Sequence, residues 1–98
     1  MRDFLRSSTF ELPDGESLAI RELSAGGRRA LVEVTRSNAG DAFMIAATAI
    51  KAGCPECKDS SVDDILDALP AELLNDLATA VFALSGIASG DEAQAEKN

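Results

Sequence analysis

Cys54 and Cys57 are the only cysteines in the chain, and they stand as a C-x-x-C pair in the stretch AGCPECKD. That spacing fits half of a zinc site, a dithiol redox pair, or two thiols in a loop. A thioredoxin-like pair follows a strand and opens a helix, because the helix N-terminus lowers the thiol pKa. Here the preceding DAFMIAATAIKA reads as helix, and the nearby Glu56, Asp59, Asp63 and Asp64 push a thiol pKa upward. Pro55 does give the C-P-x-C form found in redox motifs, without the rest of their context. Structural zinc takes four ligands, normally Cys or His. The chain has no histidine, so acids or a second chain would have to complete the shell. Cys54 and Cys57 therefore stand as minor metal or thiol candidates, with a plain interhelix loop as the preferred reading and no cofactor expected.

Other routes to catalysis are thinner. Without histidine the commonest general base is missing, and no imidazole can activate the many serines and threonines as nucleophiles. Asp63 and Asp64 lie where acids ordinarily stabilise a helix N-terminus. Gly26-Gly27 before Arg28-Arg29 has the look of an anion site at a helix start, yet SAGGRR is neither a P-loop nor a dinucleotide fingerprint. No enzymatic activity is expected.

Charge narrows the partners. The 98 residues carry a net charge of −8. Residues 1–51 balance seven basic side chains against seven acidic ones, whereas residues 52–98 set Lys58 and Lys97 against ten acids. An acidic half repels phosphate backbones, and four phenylalanines with no Trp or Tyr offer little platform for stacked bases. Nucleic acid is not an expected partner. The acidic half reads as a solvated face or as a docking surface for a basic protein. No stretch nears the ~20 apolar residues of a membrane span, and MRDFLRSST lacks the apolar run of a signal peptide. The expectation is a cytoplasmic protein with reduced thiols.

The elements that must carry these residues are mainly α. FELPDGESLAI predicts a β-hairpin over about 8–22, turning at Pro13-Asp14-Gly15, with Phe10, Leu12, Leu18 and Ile20 on one apolar face. SAGGRRALVEVTRSN admits a strand, or a helix over about 25–37 capped by Ser24 with Gly27, Ala30, Leu31 and Val34 on one stripe; the helix is preferred although two glycines weaken its start. A helix over about 41–52, capped by Asn38 or Asp41, is apolar all round, which places it at the centre of the fold or against another subunit. A helix over 62–69 opens at Ser61 and buries Val62, Ile65, Leu66 and Leu69. Pro70 ends it and starts another over 71–85, whose stripe is Leu73, Leu74, Leu77, Ala80, Val81 and Leu84, closing at Gly86. Residues 1–87 thus make one small helical domain with three to four helices, and residues 88–98 a disordered, polar, acidic tail.

Phe82 falls outside that stripe, on a face of small residues with Ala71, Ala78 and Ser85. An aromatic on a flat face predicts a contact site, unless the hairpin lies over it. Phe82, Ala78, Ala71 and, on the all-round apolar helix, Met44 are the candidate protein-interaction surface, with homo-oligomerisation among its uses.

The opening FELPDGESLAIREL, the two middle helices and the closing LPAELLNDLATAVFALSG resemble, over about residues 10–87, the small tail assembly chaperones of long-tailed phages and prophages. The likeness is one of layout, and the C-x-x-C loop departs from it. It implies a non-catalytic, mainly helical protein that binds the tape-measure protein and tail-tube subunits during tail assembly. It also implies a second, longer product made by frameshifting. Glu96-Lys97-Asn98 admits the codons GAA AAA AAC, which contain a slippery A-AAA-AAC heptamer.

Overall fold

The computed structural model describes residues 4–37 and 41–87. Strands β1 (Ser7–Glu11) and β2 (Ser17–Arg21) form an antiparallel hairpin, followed by helices α1 (Ala25–Ser37), α2 (Ala42–Gly53), α3 (Val62–Ala68) and α4 (Ala71–Leu84), with a single 3-10 turn at Pro55–Cys57 between α2 and α3. The mainly α architecture with an N-terminal hairpin is as the sequence predicts. Element ends shift by a residue or so, within the ordinary ambiguity of helix termini. The cap expected at Asn38 and the acidic tail at 88–98 lie outside the described residues.

The hairpin turn follows from its residue types. Gly15 N–H donates to the Leu12 carbonyl at 2.9 Å and Leu12 N–H to the Glu16 carbonyl at 2.7 Å. Pro13 presets φ at the first corner, Asp14 Oδ1 accepts from Glu16 N–H at 2.9 Å, and Gly15 takes φ +91°. The register pairs Phe10 with Leu18 and Ser8 with Ile20. Alternation therefore sends Phe10, Leu18 and Ile20 to one side, where Ile20 is buried and the other two are half-buried against the core.

Between its two readings, residues 25–37 fold as helix. Ser24 Oγ accepts from Gly27 N–H at 3.0 Å, which fixes the first turn. Gly27 faces inward, where an added Cβ would sit 3.2 Å from Ala52 Cβ, so its small size serves the α1–α2 approach rather than merely weakening the helix. Leu31 is buried and Val34 half-buried on that side, but Ala30 is exposed; the stripe is narrower than expected.

α2 is the central element and packs against α1, α3 and α4. Five consecutive residues, Ala46 to Ile50, are buried, which resolves its all-round apolar character: neighbours in the same chain cover its C-terminal two thirds. Thr48 is accommodated there because its hydroxyl donates to the Met44 carbonyl at 2.8 Å. Gly53 is required by closeness, since a Cβ at that position would lie 2.5 Å from Val81 Cγ1 and 3.1 Å from the Arg21 carbonyl.

The C-terminus of α4 is fastened to the first half of the chain. Ser85 Oγ accepts from Leu23 N–H at 2.8 Å and donates to the Val81 carbonyl at 2.8 Å. Arg6 donates to the Leu84 carbonyl at 2.8 Å and Arg28 to the Ser85 carbonyl at 2.6 Å. Ile87 N–H to Phe82 C=O at 2.7 Å and Gly86 N–H to Ala83 C=O at 3.2 Å, with Gly86 at φ +79°, complete a Schellman ending. The arginine beside the glycine pair thus closes a helix end.

Candidate functional site

Cys54 ends α2, its N–H donating to the Ile50 carbonyl at 2.8 Å, and its own carbonyl accepts from Cys57 N–H at 2.9 Å. Both cysteines are free, Cys54 buried and Cys57 half-buried. Burial, then the hydrogen bond and charge of the adjacent Cys54, then Glu56, push the Cys57 thiol up to about 12. Such a thiol stays protonated at neutral pH and makes a poor nucleophile. Among the described residues no group of three or more His, Cys, Asp or Glu side chains is placed to hold a metal ion. The loop that follows is tied down by Lys51, whose Nζ donates to the carbonyls of Lys58 at 2.9 Å and Ser60 at 2.6 Å. The C-x-x-C segment is a fastened corner.

The expected interaction face on α4 needs correction. Phe82 is only 6% exposed and Ala78 is buried, so neither presents a contact surface. The buried positions of α4 are Leu74, Leu77, Ala78, Val81 and Phe82, followed by Ser85, whereas Leu73, Ala80 and Leu84 are only half-buried. The face has turned because two different partners claim it: α2 packs along one flank, and both strands of the hairpin lie against the other. The apolar side of a two-stranded hairpin requires such a seat, and the small Ala78 and Ser85 beside Phe82 make room for it.

Ala71 and Met44, the other two candidates, do come together. With Asp41, Phe43, Leu66, Leu69 and Leu74 they line an open hollow of about 410 Å³. It lies where the first turn of α2 meets the corner between α3 and α4. The corner has a local cause. Pro70 disfavours helical backbone at the residue before it, and Leu69 is extended at φ −110°, ψ 135°. The α3 helix stops after two turns, Pro70 at φ −59° leads into α4, and Leu66 and Leu69 are left half-buried, facing a gap. Asp41 holds the other wall by capping α2, its Oδ1 accepting from Met44 N–H at 3.1 Å. Phe43 on that first turn remains 49% exposed.

Sequence reasoning placed Leu66 and Leu69 in a buried stripe and gave Phe43 no role. The signal that was present is Leu69-Pro70: a helix forced to end there cannot cover its own last apolar turn. Chemically, the hollow offers an apolar floor with one carboxylate at the rim. That suits an inserted apolar side chain more than a proton transfer.

No protein-family model, curated protein or solved structure matches the chain. Among the described residues no helix is long and apolar enough to cross a membrane.

Proposed function

We propose that this chain is a non-catalytic binding protein that receives an apolar helix face of a protein partner in the hollow between α2, α3 and α4. In its finer form the reading is a phage or prophage tail assembly chaperone, acting in the host cytoplasm, whose partners are tape-measure and tail-tube proteins. One observation carries the binding reading: Phe43, Met44, Leu66 and Leu69 stay partly uncovered around one open hollow, whereas the other large exposed apolar side chains, Phe4 and Val32, do not line it. Unpartnered apolar surface of that kind marks interaction sites, and a groove between helices is the usual seat for a helix. The finer reading rests on the layout from FELPDG to the closing helix.

The test uses the gene in its native DNA context together with the tube and tape-measure genes of the same locus. The expected result is co-purification of a partner with the chain, loss of at least about tenfold in affinity for Phe43→Asp, and a minor longer product sharing this N-terminus by intact mass. Co-purification without the longer product supports the binding reading and removes the strongest sign of the chaperone reading. Unchanged partner binding by Phe43→Asp dismisses the hollow as the site.

A further inference from the structure

We infer that the occupant of the hollow is a basic amphipathic helix, one with Lys or Arg flanking its apolar anchors; this rests on the binding reading above and specifies the partner's chemistry. The two helices that form the corner, α3 and α4, carry five acids (Asp63, Asp64, Asp67, Glu72 and Asp76) and no basic residue. None of the five is among the residues that line the hollow, but they stand on the two helices that form its corner. At 100° per residue, Asp63 sits about 60° and Asp67 about 100° around α3 from Leu66. Glu72 directly follows Ala71 at the start of α4, and all three carboxylates are exposed. Asp41 adds a fourth acid at the opposite wall. Among the described residues no basic side chain lines the hollow, and the Lys51 ammonium is engaged by two backbone carbonyls near the other end of α2.

An apolar floor with one carboxylate at the rim, between helices whose exposed charges are all acidic, matches a helix whose apolar residues recur at i, i+3 or i+4, and i+7, with cations beside them. The net charge of −8 acts in the same direction: it attracts a cationic segment at long range and speeds the encounter. It also argues against a second copy as the occupant, because two such chains repel. The chain's own exposed basic stripe, Arg29, Val32 and Arg36 on α1, offers a single apolar residue between its arginines and is a weak match for a hollow lined by five large apolar side chains.

Two synthetic helical peptides of equal length and identical leucine stripe, one flanked by lysines and one by glutamates, test this on the full chain labelled for NMR. The lysine peptide is expected to shift the amides of residues 41–44 and 66–74 and to bind at least about tenfold more tightly than the glutamate peptide, the combined effect of several exposed ion pairs. Its affinity should fall as salt rises. The Asp63→Asn, Asp67→Asn double variant, altered only at exposed positions, should lose several-fold in affinity and show a shallower salt dependence. Equal binding of the two peptides at those amides overturns the charge assignment and leaves the hollow as a binding site. Absence of shifts there with either peptide overturns both. Concentration-dependent self-association that shifts the same amides together with those of α1 overturns the foreign helix in favour of a second copy.

Discussion

Phe43 and Phe82 are the same side chain in opposite situations, and truncating each to alanine separates surface from core. Phe82 is 6% exposed and belongs to the buried core, on the helix that packs against α2 and both strands of the hairpin. Removing a buried phenylalanine costs about 3–5 kcal/mol, transfer and cavity terms together. A chain of this size has a total stability of roughly 5–15 kcal/mol, so Phe82→Ala removes a large part of it. At about 4–8 °C per kcal/mol for a small domain, the melting temperature should fall on the order of 15–30 °C. Phe43 is 49% exposed, so its truncation forfeits about half the burial, roughly 1–2 kcal/mol, and leaves a dent open to water rather than a sealed cavity.

Thermal and urea unfolding of both variants, followed by far-UV circular dichroism, gives the comparison. The expected order is wild type, then Phe43→Ala, then Phe82→Ala, with at least about 1 kcal/mol between the two variants. In partner binding the order reverses: Phe43→Ala is the weaker binder at temperatures where both are folded. Equal melting points, or a Phe82→Ala protein that melts within a few degrees of wild type, would refute the seating of the hairpin on α4. An aromatic whose loss the fold does not notice is not in the core.

Four further outcomes follow from particular contacts. Gly53→Ala should destabilise by about 1–3 kcal/mol through overpacking against Val81; combined with Val81→Ala its cost should shrink in a double-mutant cycle, because the methyls it strikes are gone. Ser85→Ala leaves the buried Leu23 N–H without its acceptor and should cost about 1–3 kcal/mol in denaturant unfolding. The Cys57 thiol is raised from 9.0 to about 12 in the folded chain, so above pH 9 the unfolded state loses its proton first. Stability from this group is therefore complete below pH 9 and declines as pH climbs toward 12. Cys57→Ala should flatten that decline, and thiol alkylation of the folded protein should stay slow at pH 7–9. Glu22 titrates the other way: the Arg6 backbone N–H, at 2.7 Å from Oε1, holds its pKa below 4.5. Its contribution is present above pH 4.5 and lost as pH falls through the lowered value, and Glu22→Gln should remove that acid-side slope.

Local signals carried most of the fold. Ser24, Asp41 and Ser61 each accept a hydrogen bond from the backbone N–H three residues on, and caps of that kind are written in residue type. Pro13-Asp14-Gly15 and the Gly86 ending are equally local, since they need a preset φ or a positive one. Helical periodicity located the Ile65 face of α3 for the same reason. What periodicity does not carry is how wide a buried face becomes once a second element lies on it. Summing the apolar residues of α4 about one direction centres the stripe between Leu77 and Val81. Phe82 is then left outside, because the hairpin that claims it is distant in sequence and contributes nothing to that sum.

The hollow shows the same limit from the opposite side. Leu66 and Leu69 satisfy the apolar pattern of α3 as well as Ile65 does, yet only Ile65 is fully buried. The difference lies in the direction in which α4 departs after Pro70. Proline dictates that the helix ends, but the angle of the next helix is chosen by the packing of Leu74, Leu77 and Val81 against α2 and by the ties at Ser85. Those interactions pull α4 toward α2 and the hairpin, and among the described residues the Leu69 corner is left only half covered. The open hollow thus follows from the constraints of the core: the packing that buries Phe82 at one end of α4 goes with Phe43, Leu66 and Leu69 left partly uncovered at the other. Weakening the Ser85 and Arg28 ties should therefore alter the hollow from the far end of α4, without any change to the residues that line it.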